Sequence, residues 1–473
     1  MHRSGAMAYA RSMVARVALP AHTSSTRPVS VPAACAGLLA GLLVLSSCAA
    51  APEGGSGEGA SDAAPSSSSP SDQDSSPSSS GGASSAPASD SASSPESGQA
   101  AEQFTLFAAG DVLPHGNVLA TAQDGDDGDD GDDGYDFTPM MAGMEDWVSG
   151  ADLALCGMEA PVAPRGQEPI GYPVFGAPAS LVADLADLGF DGCSTATNHS
   201  MDQGIAGLER TLEVFDEQGL GHAGTARSAE EAGAPQIYTL ERGGQEVTVA
   251  HLSATRLRNG AHELPEGRGW ALDESSPEEL TARARAAREA GADIVLASVH
   301  WGREYTDSPT AAQRSYGEAL AAGGEIDVVL GSHSHTPQPI EVLDGGPDGE
   351  GMQTVWSMGN FLTNQDEECC VQATATGAAV LTTISVPEDG DPQVTAMDWT
   401  PVTVDRGPDD EGSHRGIWPL DELVADGVPE QLQLSEERVR TRLDGIVEVM
   451  GERRHRTAPP EPTGPEPVVE PRS

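Results

Sequence analysis

Val328-Val329-Leu330-Gly331-Ser332-His333-Ser334-His335 is the stretch around which the chain is organised. Its apolar run reads as a buried strand that breaks at a glycine, and two histidines follow with one residue between them. Neutral imidazoles are common metal ligands, and this spacing at a strand end can aim both rings into one cleft. A polar loop with two surface histidines would read the same way, so the rest of the chain must decide.

Working outward, the same placement recurs. The run at 104–109 ends in Gly110-Asp111, and the run at 152–156 leads into Gly157-Met158-Glu159. The stretch 189–195 closes on Asn198-His199, and 293–299 runs into His300. Each time a carboxylate, amide or imidazole stands just past a predicted strand, where open α/β sheets place their ligands. Helical spacing separates these strands at 181–188, 204–218, 277–290 and 310–322. Further strands are expected at 236–240, 246–251, 339–343, 354–357, 377–386 and 393–399, and helices at about 135–147, 418–425 and 435–450. The chain therefore reads as α/β. Asp111, Glu159, Asn198, His300, His333 and His335 would converge if their loops share one sheet edge. Such a mixed oxygen and nitrogen set suits Mn, Fe or Zn and is too nitrogen-rich for calcium.

Composition divides the rest. Arg3, Arg11 and Arg16 precede an apolar run at 33–45 that is too short to cross a bilayer, and the run ends in Leu45-Ser46-Ser47-Cys48. This ending resembles a bacterial lipobox, which implies a signal peptide over 1–47, a lipid on Cys48 and anchoring to the outer face of the cell membrane. Residues 48–103 are Ser, Pro, Gly, Ala and Asp with almost no large apolar side chain, and read as a disordered tether. As a flexible coil it would reach ~40 Å. A folded domain is expected over 104–452 and a disordered Pro/Glu-rich tail over 453–473.

The formal charge of -49, with no lysine, excludes a general nucleic-acid role, which needs a basic surface. The Asp-Asp-Gly repeat at 124–133 lacks EF-hand spacing and reads as a solvated acidic loop. Cys156, Cys193, Cys369 and Cys370 remain once Cys35 and Cys48 are assigned to the N-terminal segment. Their pairing stays open; a bridge between the adjacent Cys369 and Cys370 is sterically awkward, so each is expected to pair elsewhere or stay free.

Several stretches together resemble the CapA family of capsule or poly-γ-glutamate synthesis proteins, relatives of the calcineurin-like metallophosphatases. They are Ala109-Gly110-Asp111-Val112, 151–162, 196–204 with Gly207-Leu208, His300-Trp301-Gly302-Arg303-Glu304-Tyr305, Gly331-Ser332-His333-Ser334-His335 and Ser357-Met358-Gly359-Asn360-Phe361. The resemblance implies mixed β-sheets sandwiched together and flanked by helices, with two divalent ions at the strand C-terminal ends. It makes Glu159 the bridge, gives Asn198, His300 and His333 to one ion, and gives Asp111 and His335 to the other. His199 would assist the leaving group, and Arg303 and Asn360 would contact substrate. Two departures stand out: Leu113 occupies the place of a usual histidine, for which His115 could substitute, and Gly157 stands where the family usually has Asn. The implied role is capsule or poly-γ-glutamate synthesis or export by a metal-dependent hydrolase or transferase. The partners would be the membrane and either capsule-synthesis subunits or an anionic polymer. A non-catalytic assembly subunit and a general exported phosphoesterase are the alternatives. A polyanionic substrate would have to meet this acidic protein through its metals and arginines such as Arg256, Arg258 and Arg303.

Overall fold

The computed structural model describes residues 102–123, 134–406, 415–430 and 432–472. The expected signal peptide, Cys48, almost all of the tether and the acidic Asp/Gly loop lie outside them.

In chain order the first eight strands are β1 (Glu102–Val112), β2 (Leu153–Met158), β3 (Gly192–Ser194), β4 (Gly221–Ala223), β5 (Gln236–Arg242), β6 (Gln245–Thr255), β7 (Ile294–His300) and β8 (Val328–Ser332). There follow β9 (Pro337–Leu343), β10 (Met352–Met358), β11 (Asn360–Leu362), β12 (Thr376–Val386), β13 (Gln393–Asp405), β14 (Gly416–Pro419) and β15 (Val468–Glu470). One sheet runs β14-β13-β12-β1-β2-β3-β4, with β11 also against β1; the other runs β15-β5-β6-β7-β8-β10-β9. Both are mixed. The parallel parts, β1 to β4 and β6-β7-β8-β10, carry the strand ends that matter below.

Side-chain alternation makes the layers. In β1, Phe104, Leu106 and Ala108 face a core shared with Tyr238, Val249, Leu296 and Leu330 of the second sheet. Phe107 and Ala109 face the opposite way, toward Trp147 and the helix Ser180–Leu188. In the second sheet Val295, Ala297 and Val329 turn outward, onto Leu280 of the helix Pro277–Glu289 and Leu320 of the helix Ala311–Gly323. Period-two strands with apolar residues on both faces require cover on both sides, and two stacked sheets with outer helices supply it. The mixed α/β fold expected from the sequence is present.

Details differ. The helix expected near 135–147 is broken into Thr138–Met141, a short 3-10 turn and Glu145–Ser149. Trp418 lies in β14, and the helix begins only at Leu420. The tail expected to be disordered from 453 is ordered: β15 pairs antiparallel with β5, and Arg472 is buried. Its composition is poor in apolar residues, but an open sheet edge and buried polar partners give its backbone and arginine somewhere to bond. Cys156 and Cys193, in register on β2 and β3, are disulfide-bonded. Contrary to expectation, Cys369 and Cys370 pair with each other; both sit in the turn following Asp366, whose carbonyl accepts the Cys370 N–H. No described helix is long and apolar enough to cross a membrane.

Candidate metal centre

Two glycines allow close backbone approaches at the site, Gly110 of β1 against the chain after β10 and Gly331 of β8 against β10 of its own sheet. A Cβ on Gly110 would lie within 2.9 Å of the Gly359 carbonyl carbon, and the Asp111 N–H donates to that carbonyl at 2.9 Å. A Cβ on Gly331 would lie 2.5 Å from the Trp356 carbonyl carbon. Beyond these close approaches the chain turns, and His333 and His335 adopt φ of 92° and 56°, a left-handed conformation uncommon for such residues. Strain of this kind persists where the surroundings over-determine it, which is common at functional sites.

Asp111 ends β1, Glu159 follows β2, Asn198 follows β3, His300 ends β7, and the two histidines follow β8. These strand ends bring together two groups of facing ligand atoms, Glu159 with His300 and His333, and Asp111 with Glu159 and His335; within each group the atoms lie inside 4.8 Å of one another. Asn198 joins the first, its Oδ1 2.8 Å from His300 Nε2. His300 Nε2 also lies 3.2 Å from His333 Nδ1 and 3.6 Å from Glu159 Oε1. His335 Nε2 lies 3.8 Å from the same Oε1, and the His333 N–H donates to Asp111 Oδ2 at 3.3 Å.

The cluster is rich in ligand atoms and short of hydrogen-bond partners. Glu159 is fully buried with both carboxylate oxygens unpartnered, and Asp111 Oδ1 is unpartnered too. Burial pushes Asp111 up to about 7 and Glu159 well above the carboxylate range, and Asp111 adds to the effect on Glu159. Burial lowers His333 to about 4, His335 to about 3 and His300 well below its ordinary value. The imidazoles are therefore neutral, in the ligand form, near pH 7. Leaving buried carboxylates unpaired is expensive, and divalent cations between them would remove that cost. The donor set fits such ions.

The surroundings orient the ligands. His335 donates from Nδ1 to Asn360 Oδ1 at 2.9 Å, which directs the Nε2 lone pair toward Glu159. Asn360, expected at substrate, is 2% exposed, and its amide nitrogen donates to the carbonyls of His335 and Thr374 and to Gln365. It holds a ligand because β11 tucks it under the histidine loop. Ser332 Oγ lies 2.8 Å from His300 Nδ1. His115 joins neither group: its Nδ1 bonds the Leu113 carbonyl, so it does not replace the missing histidine at 113.

His199 stands beside the cluster, and its Nδ1 lies 2.6 Å from Asp202 Oδ2. Asn259 donates to Asp202 Oδ1 at 3.0 Å, and the edge of Phe175 meets the His199 ring at 4.8 Å. Asp202 and Asn259 were not foreseen; the spacing of three from His199 was a usable signal for the first, whereas nothing local marks the second. Among the expected arginines, Arg256 donates to the Glu274 and Ser275 carbonyls and Arg258 pairs with Glu274. Arg303 is exposed in the loop after β7 and makes no ion pair among the described residues.

Residues 105–365 match the family described as bacterial capsule synthesis protein PGA_cap. The chain belongs to that family. It is 32% identical over 187 residues to the PGA biosynthesis protein CapA of Bacillus subtilis, covering 38% of this chain and 44% of that one. It is 25% identical to the capsule biosynthesis protein CapA of Bacillus anthracis, over 39% of this chain and 43% of the relative. A probable polyglutamine synthesis accessory protein of Mycobacterium tuberculosis is 27% identical over 42% and 54%. The matches thus span about half or less of these family members' lengths. Among solved structures, the calcineurin-like phosphoesterase YfkN of Bacillus subtilis aligns with a TM-score of 0.39 and 13% identity, over 74% of this chain and 97% of that one. A 5'-nucleotidase precursor of Thermus thermophilus aligns at 0.39 and 13%, over 73% and 58%.

Proposed function

We propose that this protein acts outside the cytoplasm, tethered through a lipid on Cys48, in capsule or poly-γ-glutamate synthesis or export. Its centre is a metal-dependent hydrolase or transferase acting on a phosphoester or an amide-linked polymer. The observation that carries the catalytic part is Glu159, fully buried with two unpartnered oxygens between two sets of neutral imidazoles. Mn, Fe or Zn ions bound there would supply Lewis acidity and a nucleophile drawn from water. Glu159 would be shared between them, Asn198, His300 and His333 completing one set and Asp111 and His335 the other. Asp202 fixes the orientation of the His199 ring through Nδ1, which leaves Nε2 as the atom that would serve a leaving oxygen as proton donor. Burial of the ligands keeps competing water away from the carboxylates. Family membership supports the capsule setting, and a polyanionic substrate would have to meet this acidic protein through the metal centre and exposed arginines such as Arg303.

One observation favours a second reading. The group of Asp111, Glu159 and His335 has three side-chain ligands, with Leu113 where a fourth would stand. A non-catalytic assembly subunit could keep such a site for architecture. Metal content of the full chain, with hydrolysis of phosphoesters and γ-glutamyl polymers, separates the two for wild type, Asp111→Ala and His333→Ala. Two ions per chain in the wild type and turnover lost in both variants support catalysis. One ion or none, with no turnover, supports the assembly role, whereas turnover of small phosphoesters alone points to a general exported phosphoesterase.

A further inference from the structure

Cys369 and Cys370 form a disulfide that has no task in the chemistry above. A cross-link between neighbours encloses no loop, so it adds almost nothing to stability by restricting the unfolded chain. Cys156–Cys193, with a sequence separation of 37, does restrict it. The two bonds also differ in access. Cys156 and Cys193 are buried, whereas Cys369 is exposed and Cys370 half-buried. Thiolate exchange needs access to a sulfur, and exposed disulfides are the labile, regulatory kind.

The turn that carries the Cys369–Cys370 bond lies between two groups that grip one side chain. Asn360, whose Oδ1 accepts from His335 Nδ1 at 2.9 Å, donates from Nδ2 to Gln365 Oε1 at 3.2 Å and to the Thr374 carbonyl at 2.9 Å. Gln365 precedes the cysteines and Thr374 follows them. Hydrogen bonds span the interval: the Cys370 N–H donates to the Asp366 carbonyl at 3.0 Å, and the Thr374 N–H and hydroxyl donate to the Val371 carbonyl at 2.9 and 2.7 Å. The disulfide closes a small ring around the Cys369–Cys370 peptide and so holds this turn in one shape. Asp366 and Glu367 pair with Arg406 and Arg442 at 3.3 and 3.1 Å, which anchors the start of the turn independently of the disulfide. Motion released by opening the bond therefore falls on 368–374, the side that supplies the Thr374 carbonyl.

We propose that the Cys369–Cys370 disulfide is a redox switch on the metal centre, opened by a dithiol reductant and acting through Asn360 on His335. The dithiol supplies two electrons and two protons: the S–S bond breaks, Cys369 and Cys370 become thiols, and the dithiol closes to its own disulfide. The freed turn withdraws the Thr374 carbonyl from Asn360, and the His335 ring is no longer held toward the ion it would share with Asp111 and Glu159. Reoxidation restores the grip. The switch rests on reading the cluster as a metal centre.

Calorimetric titration of the full chain with Mn tests the switch without requiring turnover. Mn favours carboxylates over thiolates, so the new thiols do not compete for it. The oxidised chain is compared with chain reduced by dithiothreitol and freed of it under nitrogen, with alkylated cysteines located by peptide mass spectrometry. Cys369 and Cys370 should open while Cys156–Cys193 stays closed. One Mn-binding step should then weaken by about three- to tenfold, less than outright loss of a metal ligand's outer partner usually costs. The other step should change little, and reoxidation should reverse the effect. Cys369→Ser with Cys370→Ser should bind Mn as the reduced chain does and be indifferent to dithiothreitol. Full reduction with neither step changed, or equal weakening of both, would overturn the switch, as would a Cys369–Cys370 bond that resists dithiothreitol. Uptake of no Mn by the oxidised chain would overturn the metal-centre reading, and the switch with it.

Discussion

Asp111 shows how a single buried carboxyl sets the pH response of the centre. Burial raises it from 3.8 to about 7, against a backbone N–H from His333 that pulls it down. Between those values the metal-free native protein holds a proton that an incoming cation must displace. The raised value also means that this group's contribution to metal-free stability is present below 3.8 and lost as pH rises through about 7. Metal affinity should therefore climb with pH toward 7, Asp111 contributing up to about tenfold per unit, and the proton that burial holds on Glu159 adds to that slope. His333 and His335 oppose this only near pH 4 and 3, where they would begin to protonate. Chelator-competition titrations between about pH 5.5 and 8 measure the slope. Asp111→Asn should weaken binding and lower the slope by about one proton; an equal slope in the variant would place the proton elsewhere. The ligands themselves were legible in the sequence because each follows an apolar run. Asp202, Asn259 and Ser332 were less so, since an orienting role shows only once another element supplies the partner.

At the scale of elements, the end of β8 depends on a backbone that a side chain would obstruct. A Cβ at Gly331 would press on the Trp356 carbonyl of β10, 2.5 Å from its carbon, and rigid backbone cannot yield as a side-chain tip can. Gly331→Ala should destabilise the protein by about 1–3 kcal/mol through this overpacking, and it should weaken metal binding because His333 and His335 follow immediately. Gly445→Ala is the matched control. A Cβ there meets nothing within 4 Å, and the residue lies inside the helix Glu436–Met450. The alanine should stabilise by up to ~1 kcal/mol through helix propensity. Urea denaturation of the two variants should give shifts of opposite sign, and a neutral Gly331→Ala would refute the close approach. Long strands with apolar residues on both faces, such as β1, β7 and β8, were readable for the same reason that they are central. The short strands β4, β11 and β15 were not: β3 is equally short, but the Asn198-His199 loop marks its end, whereas these three carry too little pattern of their own.

Across the whole molecule, the C-terminal segment ties the two sheets together at a buried ion pair. Asp152 begins the β2 region of the first sheet, Arg242 ends β5 of the second, and their side chains, both within 1% of full burial, meet at 2.7 Å. The tail completes the junction: Thr463 donates from its N–H and hydroxyl to Asp152 Oδ1 at 2.7 and 2.9 Å, and the Pro465 carbonyl accepts from Arg242 at 3.1 Å. Farther along, Arg472 donates to the carbonyls of His222, Thr225 and Glu231. Composition alone predicted disorder here, because a low apolar content says nothing about buried polar partners contributed by residues more than 200 positions away. Desolvation makes such a pair costly to break but not necessarily costly to replace. Asp152→Ala leaves the Arg242 charge buried without its partner and the Thr463 and Thr105 donors unmatched, so it should cost about 3–5 kcal/mol. Replacing both members, Asp152→Leu with Arg242→Met, removes the stranded charge and should recover most of that loss. Denaturation midpoints of the single and double variants measure the difference. A double variant no more stable than Asp152→Ala would show that the junction depends on the tail's hydrogen bonds and the Thr105 backbone rather than on the charge pair.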